Sequence, residues 1–290
     1  MAKASAHKLG QLIGDFLEET WLPLLQDYCD RRHLYLDKKG VRGAARRGKK
    51  VSWKDIYGNT HDLDFVIEKN GTAAQRGQPV AFIEAAWRRY TKHSRNKSQE
   101  IQGAILPIAE KHFRDKPFLG AVLAGVFTEG SLTQMRSSGF EVMLFPYGTI
   151  IQSFAEVGID IAYDVATPDA VCIAAISQIE RMNAAHRLVV KNKLIEINQP
   201  VITNFFGMLE NSLSRTITKV LAIPLHGQSH EFDTIAAAIA FIDGYDESVG
   251  CVGRFTKYEI VVRYSNGDSI DATFDNKERT VGFLNYVSQN

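Results

Sequence analysis

The sequence predicts an α/β fold in which a mixed central sheet is flanked by helices and followed by a helical and small α+β C-terminal part. Segments of helical periodicity alternate with apolar runs of strand length through residues 8–154. Beyond Pro168 the pattern becomes helical, and near the end an Asn-Gly turn joins two alternating runs. These observations predict two domains, residues 1–165 and residues 166–290.

The first predicted elements are one long helix and two strands. Apolar residues at helical spacing predict a helix over residues 8–29, which Pro23 is expected to bend or break. The alternating run 62–68 and the apolar run 79–87 predict two strands, with a turn at residues 69–71 after the first. The second run is almost continuously apolar, which is typical of a central strand buried on both faces.

A helix and the remaining strands of the sheet follow. Ser94 can cap a helix that ends near residue 112, and Pro107 should kink this helix. The later segments are predicted as a buried strand at 118–127, a short helix at 131–138, a strand at 140–145, and a strand or helix at 149–154. This order places helices on both faces of the sheet.

The C-terminal part is predicted to begin with helices. Residues 168–222 have helical periodicity throughout, with a break at Pro200. The final segments are predicted as a helix at 234–242, strands at 257–264 and 268–274, and a closing helix. Asn266 and Gly267 between those strands indicate a tight hairpin turn.

The composition is that of an ordinary globular protein. Of the 290 residues, 45% are hydrophobic and 23% are charged, and the formal net charge is +1. Cys29, Cys172 and Cys251 lie far apart and form no CxxC pair, which argues against a zinc ribbon or a disulfide scaffold. The N-terminal segment lacks the apolar core of a signal peptide, and no apolar run is long enough to span a membrane. We therefore expect a soluble, cytoplasmic protein with no membrane partner.

The basic residues are concentrated in two segments without acids, residues 38–54 and 88–97. Concentrated positive charge on a nearly neutral chain favours a face that binds the phosphates of nucleic acid. A solvated loop and a solvated helix start would give the same pattern. The candidate DNA contacts are Lys38, Lys39, Arg42, Arg46, Arg47, Lys49 and Lys50 in the first segment, and Arg88, Arg89 and Arg95 in the second.

Three acids stand on the predicted strands. Asp62 and Asp64 are two residues apart and are expected to share one strand face, while Glu84 lies within the apolar run. A buried acid is unfavourable unless it is paired or binds a cation. Acids on neighbouring strands can bind Mg²⁺, which prefers oxygen ligands. Asp62, Asp64 and Glu84 are therefore candidate magnesium ligands, and the alternative is that Asp64 and Glu84 form a structural pair.

The two strands with their acids resemble the PD-(D/E)xK nuclease superfamily. Asp64 stands at an apolar strand, and Glu84 follows on the next strand with basic residues after it. The element order of residues 8–154 is similar to the core of that superfamily, most closely that of type II restriction endonucleases. The resemblance implies a restriction-endonuclease-like core and Mg²⁺-dependent cleavage of double-stranded DNA at a short sequence by a homodimer. It also implies a cognate DNA methyltransferase in the same cell, although not as a bound partner.

The chain departs from the pattern of this superfamily at the lysine. The pattern places a lysine two residues after the second acid, but Ala86 occupies that position. One explanation is that the following segment supplies the catalytic lysine; Lys97 is then preferred to Lys92, and Glu100 would be an auxiliary ligand or orienting group. A second is an inactivated chain that carries Ala86 in place of a native lysine. A third is a pseudonuclease that binds DNA without cutting it.

Three functions remain open on the sequence alone. The first is a restriction-type endonuclease, in which Asp64 and Glu84 bind the metal and Lys97 or Lys92 orients or deprotonates water. The second is a catalytically inactive DNA-binding protein with the nuclease fold. The third is a nuclease that acts on RNA or on structured repair substrates. In the first case the region 166–290 is expected to dimerise or to contact DNA.

Overall fold

The structure is a computed structural model that describes residues 4–225, 227–248 and 254–289. The chain forms two compact units. The first contains the described residues up to 111 together with 118–208, and the second contains 112–117 together with the described residues from 209 onward.

The first unit contains the main sheet. Its elements are α1 (Ala4–Arg31), β1 (Tyr35–Lys38), β2 (Val51–Lys54), β3 (Thr60–Leu63), β4 (Phe65–Lys69), β5 (Gln78–Arg88), α2 (Thr91–Lys111), β6 (Phe118–Gly125), α3 (Glu129–Ser137), β7 (Phe140–Pro146), α4 (Tyr147–Ala155), α5 (Asp169–Glu180) and α6 (Ala184–Leu213) as far as residue 208. Five strands form a mixed sheet in the order β1-β4-β5-β6-β7. Strands β1 and β5 are both antiparallel to β4, whereas β5, β6 and β7 run parallel to one another. The predicted α/β class with a mixed sheet is confirmed.

Helices α2 and α3 cover one face of this sheet. Ile101 and Ile105 of α2 and Met135 of α3 are fully buried in an apolar cluster with Phe82 and Ala121 of the sheet. Helix α1 lies on the other face, because the Trp87 side chain, five residues from Phe82 on β5, packs against it near Gly10 and Gly14. The central strand β5 is therefore covered from both sides, as its apolar run predicts.

Strands β2 and β3 form a separate hairpin within the first unit. Their inner side chains, Val51, Trp53 and Leu63, join the cluster beneath α2. The prediction of one strand over residues 62–68 is therefore wrong. The segment is divided at Asp64, because β3 pairs with β2 in one sheet and β4 pairs with β1 and β5 in another.

The second unit is a four-stranded antiparallel sheet with helices. Its elements are β8 (Ile217–Leu225), β9 (His230–Phe232), α7 (Ile235–Gly244), β10 (Lys257–Tyr264), β11 (Ser269–Phe274) and α8 (Lys277–Gln289). The strand order is β11-β10-β8-β9. Ile242 of α7 and Leu284 of α8 are fully buried with Tyr258, Ile260 and Val262 of β10. The hairpin that turns on Gly267 and the closing helix confirm the sequence prediction.

Two predictions about the C-terminal helices are wrong. Residues from Ile217 onward form β8, because alternate residues such as Val220 and Ala222 enter the core of the second unit. Helix α6 also continues through Pro200. A stripe of buried residues that includes Leu194 and Ile202 runs along this helix on both sides of the proline, and its packing offsets the lost backbone hydrogen bond. Pro23 and Pro107 likewise lie inside continuous helices.

The domain boundary predicted near residue 165 lies inside the first unit. Helix α5 packs on α1, and Arg187 of α6 donates a hydrogen bond to Glu19 of α1 at 2.7 Å. The helices after residue 165 therefore belong to the same core as the sheet. The division falls between Met208 and Leu209 instead.

Candidate active site

Asp64 immediately precedes β4, and Glu84 lies beside it on the neighbouring strand β5. The Asp64 backbone N–H donates to Oε1 of Glu84 at 3.0 Å, and the Ala85 N–H donates to Oδ2 of Asp64 at 2.9 Å. The Glu84 carboxylate thus accepts from the backbone of Asp64, and the Asp64 carboxylate accepts from the backbone of the residue after Glu84. This reciprocal arrangement fixes the two acids close together, as the sequence predicted from neighbouring strands.

Glu84 is buried, with 6% of its surface exposed. Burial, followed by the negative charge of Asp64, raises the pKa of Glu84 from its ordinary 4.5 to about 8. The hydrogen bond from the Asp64 backbone and the charge of Lys97 act in the opposite direction. At neutral pH Glu84 therefore keeps its proton beside Asp64, and a bound cation would favour its ionised form.

Lys97 is the lysine that the structure brings to this pair. It lies in α2, its side chain is 14% exposed, and its charge stabilises ionised Glu84. Its Nζ atom donates to Oε1 of Glu100 at 2.8 Å. Lys92 lies in the first turn of the same helix, but its side chain is outside the part of the chain that the structure describes.

Ala86 lies two residues after Glu84 and therefore on the same side of β5. The residue is 8% exposed and belongs to the apolar cluster beneath α2. The alanine is thus packed as a core residue, and the lysine whose charge acts on Glu84 is Lys97 of α2.

Asp62 is separated from the other two acids, so the expectation of a shared face with Asp64 is wrong. Because β3 ends before Asp64, Asp62 belongs to the outer side of the β2–β3 hairpin. Its carboxylate accepts hydrogen bonds from Lys50 and from the Ser52 hydroxyl, the latter at 2.7 Å. These two donors, first Lys50 and then Ser52, lower the pKa of Asp62.

Arg42 and Arg46 are structural residues, which corrects their assignment as DNA contacts. The Arg42 guanidinium is 1% exposed and binds Asp37 at 2.8 Å and Glu68 at 2.6 Å. Arg46 is also buried and binds Asp37 at 3.0 Å. Both arginines fasten the basic loop to strands β1 and β4, so their charges are neutralised inside the protein. The sequence conceals this role, because the arginine-rich segment itself contains no acid.

The other predicted DNA contacts differ in how far they are available to a ligand. Arg89 donates to the Tyr163 carbonyl at 2.6 Å and lies over the Tyr147 ring at 4.1 Å, so it is engaged within the fold. Lys38 donates to Gln26 and Arg88 to the carbonyl of Trp87. Lys50 pairs with Asp62 at the surface. The exposed members are Lys39, Arg47, Lys49 and Arg95, together with Lys50 in its surface pair.

One acid near the pair is absent from the sequence prediction. Glu18 of α1 has a raised pKa, first because of burial and then because of the charges of Asp64 and Asp15. It therefore lies within electrostatic reach of the carboxylate pair. The helical pattern places Glu18 on α1, but no feature of the sequence indicates that this turn of α1 approaches a residue on the distant strand.

Asp64 and Glu84 have the chemistry of a magnesium site, since Mg²⁺ binds through one or two carboxylates and retains several waters. Their negative charges are close together and Glu84 is buried, so a divalent cation would relieve the cost of ionising it. Among the residues that the structure describes, no group of three His, Cys, Asp or Glu side chains could hold a metal ion. If the pair binds a cation, it would supply two protein ligands, and further ligands would come from water or a bound phosphate.

Comparison with known proteins adds little to this geometry. No protein-family model and no curated protein matches the chain. A solved structure titled "Crystal Structure of Protein of Unknown Function AF1548" is similar over 70% of this chain and 99% of its own, with 10% sequence identity and a TM-score of 0.27. A similarity this weak supports no conclusion about fold or activity. No helix of the described chain is long and apolar enough to cross a membrane.

Proposed function

We propose that this protein is a Mg²⁺-dependent endonuclease that cleaves double-stranded DNA at a short specific sequence, as type II restriction enzymes do. The observation that carries this proposal is the buried Glu84 beside Asp64, with the charge of Lys97 acting on it. A buried carboxylate of raised pKa beside a second acid is a common feature of functional sites. The resemblance to the PD-(D/E)xK pattern supplies the reaction class.

Each of the three residues would have a distinct role. Asp64 and Glu84 would hold Mg²⁺, which when bound lowers the pKa of water and offsets negative charge on the scissile phosphate. Glu84 would give up its proton as the cation binds. Lys97 would orient the attacking water or stabilise the phosphate, since its amine is the cation that acts on the buried acid. Glu100 would hold the Lys97 amine in place through their hydrogen bond.

The exposed cations would bind the DNA backbone, which positions a protein on the duplex. Lys39, Arg47 and Lys49 lie on the basic loop and Arg95 on α2. The buried arginines of the loop fix its conformation, so the exposed cations are held ready for phosphate contact. A homodimer with two-fold symmetry would present two such sites to the two strands of a palindrome.

Digestion of a large phage DNA with Mg²⁺ and with EDTA tests the proposal. Discrete bands that require Mg²⁺ are expected. A smear would instead support a non-specific or structure-selective nuclease. Intact DNA under every divalent ion would contradict catalysis by this chain.

Variants assign the activity to the site. Asp64→Asn, Glu84→Gln and Lys97→Ala should each abolish the bands or reduce the rate at least about 100-fold, as expected for loss of a metal ligand or of a general base. Asp62→Asn is the matched control, because this acid lies two residues from Asp64 but is bound to Lys50 and Ser52. If Asp62→Asn is as inactive as Asp64→Asn, the two-carboxylate assignment is wrong.

A catalytically inactive DNA-binding protein is the second candidate, and the packing of Ala86 favours it. This position lies beside Glu84 on β5, yet it carries a methyl group in the core. If wild-type protein binds DNA but leaves it intact, Ala86→Lys decides between the alternatives. Restored cleavage would identify an inactivated nuclease, and unchanged DNA would identify a binding protein.

A further inference from the structure

The tip of the β2–β3 hairpin combines a fixed backbone with exposed apolar side chains. The tip comprises residues 55–59, which join β2 to β3. Tyr57 is 75% exposed and the adjacent Ile56 is 46% exposed. Contiguous exposed apolar side chains can form a contact surface, whereas isolated ones are common on any protein.

Every backbone N–H group of the tip donates a hydrogen bond. The Asp55 carboxylate accepts from the N–H groups of Tyr57 at 2.9 Å and Asn59 at 2.8 Å. The Asp55 N–H donates to the Asn59 carbonyl at 2.9 Å, and the Gly58 N–H donates to the Asp55 carbonyl at 3.2 Å. The Ile56 N–H donates to the Pro107 carbonyl of α2 at 3.2 Å. All five amide groups of the tip are thus bonded within the protein.

Two further contacts hold Asp55 in place. The His61 ring nitrogen Nε2 lies 2.9 Å from its carboxylate, and Nζ of Lys111 donates to its backbone carbonyl at 3.1 Å. The Asp55 side chain is only 3% exposed. The tip is therefore a turn whose backbone is hydrogen-bonded to the end of α2, and the exposed side chain of Tyr57 extends from it.

Lysines flank the tip. Lys54 immediately precedes the tip and is exposed, and exposed Lys111 of α2 donates to the Asp55 carbonyl at 3.1 Å. Further along the hairpin, Arg76 donates to the Ser52 carbonyl at 2.9 Å, and Lys50 pairs with the exposed Asp62. Asp55 itself is buried. An apolar tip flanked by lysines suits a polyanion that also offers flat apolar surfaces.

We propose that the β2–β3 hairpin enters a groove of bound duplex DNA, where Tyr57 and Ile56 contact the bases and Lys54 contacts a phosphate. A two-stranded ribbon fits the major groove, and aromatic or aliphatic side chains at such tips pack against bases or part a base step. This inference rests on the proposed function for the choice of duplex DNA. It adds a base-contacting element that neither the basic segments nor the carboxylate pair provides.

The test uses a duplex selected from a random library of about 30 base pairs, long enough for two half-sites, by binding to the wild-type protein in EDTA. Affinity is then measured by fluorescence anisotropy at several salt concentrations. Tyr57→Ala should weaken binding about 5- to 100-fold, as expected for loss of one aromatic–base contact. Its salt dependence should not change, because no phosphate contact is lost. Tyr57→Phe should keep most of the affinity.

Two further variants separate the contacts. Lys54→Gln should weaken binding and reduce the slope of log affinity against log salt by about 1. Leu188→Ala removes a side chain of comparable exposure, 58%, from α6 and should bind as the wild type does. All variants should keep the melting temperature of the wild type, since the altered side chains are exposed.

Each outcome decides the inference. If the wild type binds the selected duplex and Tyr57→Ala binds it equally well, the hairpin does not contact bases and the inference is wrong, while the proposed nuclease function stands. If the duplex is bound through Tyr57 but never cut, the inference holds and catalysis fails. If no duplex is enriched, the inference is wrong, and the Mg²⁺-dependent digestion of phage DNA decides the proposed function separately.

Discussion

Replacing Glu84 with Gln should make the folded protein more stable, and the gain should grow as the pH rises. Glu84 has its pKa raised from 4.5 to about 8, first by burial and then by the charge of Asp64. The unfolded chain therefore releases this proton at a lower pH than the folded protein does. Between those two pKa values the unfolded state binds fewer protons, so the wild type loses stability with rising pH. Glutamine carries no such proton and keeps an oxygen that accepts from the Asp64 N–H.

The size of the effect follows from the pKa difference. One pKa unit corresponds to about 1.4 kcal/mol, so ionised Glu84 costs the wild type at most about 5 kcal/mol above its folded pKa. About half of this limit, roughly 2 to 3 kcal/mol, should develop between about pH 6 and about pH 9. The protein can relax around the ionised Glu84 and so reduce this cost, and we therefore expect a change of about 2 kcal/mol in unfolding free energy between the two pH values.

Urea unfolding of wild type and Glu84→Gln at these two pH values measures the effect. The difference in unfolding free energy between the two proteins should increase by about 2 kcal/mol from the lower pH to the higher. Glu196→Gln, whose side chain is 70% exposed in α6, is the control and should show no such increase. A gap that stays constant with pH would refute the argument, because it would mean that Glu84 ionises in the folded protein at its ordinary pKa.

Other positions give equally direct tests of the fold. Arg42→Ala should lower the unfolding free energy by about 3 to 5 kcal/mol, because it leaves the buried Glu68 without its cation and Asp37 with Arg46 alone. Exposed Arg47→Ala should change it by less than about 0.5 kcal/mol in the same urea titration. Pro200→Ala should raise the melting temperature and stabilise the protein by about 1 to 3 kcal/mol, since proline is unfavourable inside a helix. Gly125→Ala should destabilise by roughly 3 kcal/mol or reduce soluble yield, because Gly125 has φ +100° and a Cβ there would lie 2.1 Å from the Arg88 carbonyl oxygen.

The sequence was most informative where one local pattern determines one structure. The apolar run at 79–87 lies within β5, and its single acid, Glu84, is held beside Asp64 as expected. Burial on both faces of a central strand leaves a clear compositional signature. The same reasoning failed at 62–68, because alternation continues unchanged through Asp64 while the chain passes from one sheet to another.

The remaining errors concern partners that are distant in the sequence. Arg42 looks like a surface cation in the sequence because Glu68 is 26 residues away and reaches it only when β1 pairs with β4, while Asp37 lies just outside the acid-free segment. Glu18 approaches Asp64 only through the packing of α1 in the folded unit. Charge counted along the chain cannot distinguish a solvated arginine from a buried one, since the difference lies in contacts between elements.

The hydrogen-bonded tip at residues 55–59 has a kinetic consequence. Because all five amides already have acceptors in the free protein, little backbone ordering remains to accompany binding. Recognition through this hairpin should therefore resemble docking of a rigid body, with association limited by diffusion and orientation rather than by a folding step. Amide hydrogen exchange at the tip should already be slow without a ligand, and it should change little when one binds.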